Sequence, residues 1–158
     1  MLIEDVFSLT PGTRIIARQR DSGLIIDQHG GFEYRVRVGD VAVIRHVGID
    51  QGLNPYISFV LESDTDQREV RERPLAISKH FIFVGDEVAD CDRFNATALC
   101  PICHLESAIY SQKEWTCSNG CDLNEYRYCK RCGTLFRGLS GKFCSTLCKD
   151  SAKSVQDA

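Results

Sequence analysis

Three observations on this 158-residue chain predict its fold class, mainly β with small metal-stabilised α+β modules. The first ninety residues break into short β-type segments punctuated by Gly, Asp and Asn. Eight of the nine cysteines lie between positions 100 and 148, and those eight form a repeated pattern. The architecture read from these features is an N-terminal small β-barrel or sandwich over 1–88 and a linker over 89–98. Two tandem four-cysteine modules follow, over 99–125 and 126–158. A composition 43% hydrophobic and 26% charged can support a buried core and does not resemble that of a disordered tail.

The β reading rests on segments rich in β-branched and aromatic residues at 13–19, 23–27, 32–38, 41–47, 56–62 and 79–84. The clearest alternation sets Phe32, Tyr34, Val36 and Val38 against Glu33, Arg35 and Arg37, one face inward and one in water. His29-Gly30-Gly31 and Val38-Gly39-Asp40 supply tight connections. The charge-dense stretch 63–74 reads as a solvated loop or exposed hairpin. Phe32, Tyr34, Tyr56, Phe59, Phe81 and Phe83 could line an aromatic cage, but their period-two spacing favours a core. His29, His46 and His80 show no ligand spacing, and Cys91, outside the repeat, reads as an ordinary thiol.

Two copies of one cysteine unit start 29 residues apart. Cys100-Pro-Ile-Cys103 leads over thirteen residues to Cys117-Ser-Asn-Gly-Cys121, and Cys129-Lys-Arg-Cys132 leads over eleven to Cys144-Ser-Thr-Leu-Cys148. A C-x2-C pair supplies two thiolates from one backbone knuckle, and C-x3-C places two more about one helical turn apart. Each copy thus holds the four ligands of a tetrahedral structural zinc site, so the expected cofactor is two zinc ions. Disulfides would suit an exported protein, but the N-terminus carries Glu4 and Asp5 where a signal peptide carries bases. Iron–sulfur ligation uses the same thiolates, but the duplicated spacing favours zinc. Cys100-Pro-Ile-Cys103-His104 also spells a haem-attachment string, yet haem would strand Cys117 and Cys121. His104 reads instead as part of the knuckle. In the first copy, Asn119-Gly120 favours a turn between the last two ligands, with a hairpin over Ala108-Ile-Tyr and Glu114-Trp-Thr-Cys.

The string C-x-x-C-G followed by F-C-S-x-x-C-K, over 129–149, resembles treble-clef fingers of the FCS type. It is also similar to the short bacterial zinc proteins that inhibit DNA gyrase. The resemblance implies a fold and two metal-binding pairs rather than a target. The first copy resembles a zinc ribbon, and Leu9-Thr-Pro-Gly-Thr-Arg-Ile-Ile-Ala resembles the opening of SH3-like or KOW-type barrels.

Charge narrows the function classes. Residues 1–90 carry ten bases against fifteen acids, and the whole chain is −3, which excludes a general polyanion binder. Residues 126–149, however, hold Arg127, Lys130, Arg131, Arg137, Lys142 and Lys149 and no acid. With Tyr126, Tyr128, Phe136 and Phe143 nearby, this second module suits phosphates and unstacked bases, or an acidic protein face. The competing reading is that these bases only offset an anionic zinc–thiolate cluster. No phosphate loop, nucleophile elbow or convergent carboxylate pair is visible, and closed four-thiolate sites leave no position for a reacting water. The expectation is therefore a non-enzymatic, intracellular zinc-binding adaptor with no membrane and no small-molecule substrate. Its second finger would contact nucleic acid or a nucleic-acid-processing machine, and its barrel would dock a protein partner. The alternative is a structural component of a larger assembly, such as a viral one, in which zinc only folds the docking lobe.

Overall fold

The computed structural model describes residues 1–18, 25–26, 33–34, 36–85, 95–138 and 141–156. The expected strand 23–27 and the first half of 32–38 reduce there to the backbone pairing of β2 (Ile25–Ile26) with β3 (Glu33–Tyr34). His29, Phe32 and Cys91 lie outside the described residues.

The N-terminal half is an antiparallel sheet of five strands. β1 (Arg14–Ala17), β4 (Val41–Ile49), β5 (Pro55–Leu61), β6 (Val70–Glu72) and β7 (Phe81–Phe83) take the order β6-β5-β4-β1-β7. Among the described pairings β6 and β7 remain the two edges, so a sheet is found where a barrel or sandwich was expected, without closure. β4 and β5 pair along nearly their whole length with a register shift between Ile44 and His46. Alternation sends Ala42 and Ile44 of β4 and Ile57, Phe59 and Leu61 of β5 into one core with Ile15, Val70, Ile77 and Phe81. Phe59 and Phe81 meet edge to face at 5.6 Å and are fully buried, so these two aromatics are core and not cage. Tyr56, in contrast, lies half-exposed under the Arg71 guanidinium at 4.4 Å.

The charged stretch 63–74 holds more structure than a solvated loop. Asp64 is buried, and its carboxylate accepts from the Asp66 and Arg68 amides at 3.2 and 2.9 Å, which closes the turn that delivers β6. α2 (Pro74–His80) then starts with Pro at its first turn and carries Lys79 and His80 in its last. The segment expected as strand 79–84 therefore begins in a helix, and the strand is only Phe81–Phe83.

A short helix not foreseen from the sequence, α1 (Ile3–Phe7), joins the two halves. Asp5 reaches back to accept the Leu2 amide at 3.2 Å, one half of a capping box. Val6 enters the core of the N-terminal sheet, whereas Ile3 is buried in a second core with Ala98, Cys100, Ala108, Trp115, Leu123 and Leu135. Phe7, one turn on from Ile3, packs against that second core too. β8 (Ala96–Ala98), inside the stretch expected to be linker, is a strand. It pairs with β9 (Ala108–Ser111), which pairs in turn with β10 (Glu114–Cys117). β11 (Tyr126–Tyr128) and β12 (Leu135–Arg137) form a separate hairpin, followed by α3 (Thr146–Gln156). Ala152 of α3 is fully buried, and the helix packs on β4. No described helix is long and apolar enough to cross a membrane.

Candidate metal centres

Each knuckle is made by a hairpin that narrows to a tight turn. Beyond the Ala98–Ala108 pair, the Cys100 amide donates to Leu105 O at 2.8 Å and the His104 amide to Cys100 O at 2.9 Å. Beyond the Tyr128–Leu135 pair, the Cys129 amide donates to Thr134 O at 2.8 Å and the Gly133 amide to Cys129 O at 2.9 Å. The duplication seen in the cysteines thus extends to the backbone bonds. It extends to the torsions as well, since His104 and Gly133 take φ of 60° and 78° at equivalent places. His104 belongs to the knuckle, as the sequence reading expected, but its side chain is exposed and the bond it donates there is from its main-chain amide.

The other two ligands arrive differently in the two copies. In the first, Cys117 ends β10 and a turn through Gly120, at φ 82° with its amide donating to Cys117 O, returns Cys121 to the site. The general one-turn-of-helix geometry of a C-x3-C pair is replaced here by the turn that Asn119-Gly120 led the sequence reading to expect. In the second, Cys144 precedes α3 and Cys148 lies in its first turn. There the Ser145 hydroxyl accepts the Cys148 amide at 3.2 Å, an N-cap bond.

The eight ligand sulfurs form two groups, Cys100, Cys103, Cys117, Cys121 and Cys129, Cys132, Cys144, Cys148, each with its four atoms within 4.8 Å of one another. An ion bound at about 2.3 Å by four thiolates sets neighbouring sulfurs about 3.8 Å apart, the edge of the tetrahedron. The Cys103–Cys117 sulfurs are 3.8 Å apart, Cys132–Cys144 3.7 Å and Cys144–Cys148 3.6 Å. These spacings fit a central ion and are far too long for disulfides, and all eight thiols are free. Tetrahedral all-sulfur donors suit zinc or iron, and either ion would find its four positions filled by protein.

Side chains around the sulfurs were not legible in the spacing. The Ser107 hydroxyl, nearly buried, lies 3.1 Å from both Cys103 and Cys117 sulfurs, and Asn119 Nδ2 donates to Cys103 at 3.5 Å. The Ser107 bond, with help from Asn119, holds the Cys103 thiol down to about 5 and also lowers Cys117. Desolvation pushes Cys121 and Cys148 up to about 12. In the second group Thr134 Oγ1 sits 2.7 Å from Cys132, two residues after a ligand, so a small hydroxyl just past the knuckle was the one available signal. Amides of Asn119 and Arg131 point at Cys117 and Cys129 at 3.4 Å.

The six bases of the second module do not form one open surface. Lys130 Nζ donates to Asn54 Oδ1 at 2.5 Å and Lys142 Nζ to Gly52 O at 3.3 Å, both on the β4–β5 turn. Burial and the nearby Lys142 ammonium hold Lys130 below the usual lysine range. Arg131 is half-buried beside Phe7, Val47 and Val155. Arg137 pairs with Glu125 at 2.6 Å and Arg127 donates to Gly141 O at 3.4 Å. Arg127, Arg137, Lys142 and Lys149 keep exposed side chains. Site and fold together define a protein with two tetrathiolate centres, each able to hold one metal ion and compatible with zinc. No family model, curated protein or solved structure matches the chain.

Proposed function

We propose that the chain is a non-enzymatic adaptor carrying two structural zinc ions, one in a ribbon-like and one in a treble-clef-like finger. The second finger contacts nucleic acid or a nucleic-acid-processing machine, and the five-stranded sheet, read as an SH3-like module, docks a protein. The carrying observation is the pair of closed four-sulfur sets, which leaves no ligand position for catalysis and makes metal a folding element. The exposed bases Arg127, Arg137, Lys142 and Lys149 support the contact surface.

Capture of the tagged, zinc-loaded chain from lysate, with and without nuclease, tests this reading. Nucleic acid should co-purify, vanish with nuclease, and be lost when the four exposed bases become Gln with metal content unchanged. Binding that survives those substitutions would sink the basic-surface reading.

One observation favours a second reading, a component of a larger assembly. Lys130 and Arg131 turn towards the N-terminal sheet, and Lys142, though exposed, bonds to Gly52 O, so part of the basic set also braces the molecule internally. That reading requires a stoichiometric protein partner retained under nuclease.

A further inference from the structure

A groove of about 280 Å³ runs along the seam of the two modules, just under the usual size of a small-molecule pocket. Tyr110 and Trp115 form one part of its lining. They are direct cross-strand partners of β9 and β10, with ring centroids 5.2 Å apart. Tyr126 and Tyr128, two residues apart on one face of β11, form another. Three of the four rings are half-exposed, and only Trp115 is nearly buried. Lys113 and Arg127 add positive charge to the lining and Glu114 a carboxylate. Lys113 sits on the β9–β10 turn, where Gln112 and Lys113 take φ of 50° and 68°.

From this arrangement we infer that the groove takes one unstacked base of a single-stranded nucleic acid. This deepens the nucleic-acid reading above and rests on it. Flat ring faces with a single aliphatic neighbour, Leu123, offer stacking surface in place of a peptide side-chain pocket. Lys113 and Arg127 complement the phosphates on either side of the stacked base. The Glu114 carboxylate accepts hydrogen bonds, so it matches the exocyclic amino group of cytosine or adenine better than the carbonyl edge of thymine or uracil, while the Asn124 amide can meet the rest of the base edge. The groove therefore favours amino-bearing bases. Duplex DNA, whose bases are stacked and paired, is excluded from it.

The chain contains one tryptophan, and it lies in this groove, so binding carries its own reporter. Zinc-loaded full chain is titrated with labelled oligo-dC, oligo-dT and a GC duplex, reading label anisotropy and Trp115 emission together. Oligo-dC should quench Trp115 and bind more tightly than oligo-dT, with the duplex weakest. Tyr126→Ala should weaken oligo-dC by about tenfold, the loss of one stacked base. Lys113→Glu, an exposed turn position outside both cores, should weaken it at unchanged metal content and serves where Tyr126→Ala fails to fold. Oligonucleotide binding without quenching, insensitive to Lys113→Glu but lost in Arg137→Gln/Lys149→Gln, overturns the groove and leaves the basic finger standing. Binding to none of the three probes overturns both. Quenching by a proline-rich peptide and not by oligo-dC assigns the groove to a protein ligand and overturns the inference.

Discussion

The two metal modules begin alike and end differently. Both hold their first two sulfurs in a knuckle with the same pair of backbone bonds and a left-handed residue at the same place. The first closes through a glycine turn and sits inside a core to which it contributes Ala98, Cys100, Ala108 and Trp115. The second closes on a helix and contributes Leu135 to that same core. The left-handed position shows why the copies diverged. In the first it is exposed and holds His104. In the second a Cβ would meet Phe7 Cδ2 at 2.7 Å and the Glu4 Cα at 3.2 Å, so only glycine lets α1 pack there. One copy serves as foundation and the other as a lobe braced against α1 and the sheet.

The sharpest way to break that comparison is to remove one buried ligand from each module. Cys100→Ser should take both metals, because loss of the first module uncovers Leu135, Tyr126 and Tyr128, whereas Cys129→Ser should leave one. Metal per chain by native mass spectrometry decides it, and equal losses would show two independent modules. A zinc ion held at a structural four-thiolate site is worth about 10–16 kcal/mol of apparent binding energy on which folding depends. Next comes Gly133→Ala, expected to destabilise by about 2–4 kcal/mol from left-handed strain and the clash with Phe7. His104→Gly should instead stabilise by up to about 1 kcal/mol. Denaturant midpoints of the loaded proteins distinguish them.

Ser107→Ala removes the hydroxyl shared by Cys103 and Cys117 and should weaken metal at the first site by about tenfold, leaving the second intact. Chelator competition that finds the first metal held as tightly as in the parent would contradict it. The smallest effect belongs to Glu4, whose Oε1 accepts the Leu99 amide at 3.1 Å while Oε2 is buried without a partner. Burial raises its carboxyl above 4.5, so the folded state holds the proton longer than the unfolded one. Stability from this group is fully present below 4.5 and falls as pH rises through the folded value. Glu4→Gln should therefore be more stable than the parent at neutral pH, by less than about 1 kcal/mol. The difference should vanish as both are acidified, read from unfolding midpoints of the two proteins at each pH.

Ligand identity was legible because metal coordination imposes spacing on the chain itself. The turn at Asn119-Gly120 and the hairpin at 108–117 were legible for the same local reason. α1 was not, since five residues carry no periodicity and its apolar side chains divide between two cores. α2 did leave a signal, Pro74 at its start and Lys79 and His80 at its end, but the apolar run after it reads as strand. β8 is only Ala-Thr-Ala, with weak strand propensity, and forms because β9 lies beside it. Nor does composition say where a basic side chain goes. Lys130 and Lys142 find the 50–54 turn, 76 and 90 residues away in the chain, which no local pattern encodes.

That α1 belongs to two cores bears on how the protein is made. Val6 belongs to a core completed by Ile77 and Phe81, but Ile3 and Phe7 wait for Ala98, Trp115 and Leu135, synthesised later. Until then a greasy face stays open on the nascent chain, and if metal orders the cysteine module its closure waits for that metal as well. Where metal is withheld, α1 would be among the last of these elements to settle, an open foothold for a chaperone or a protease.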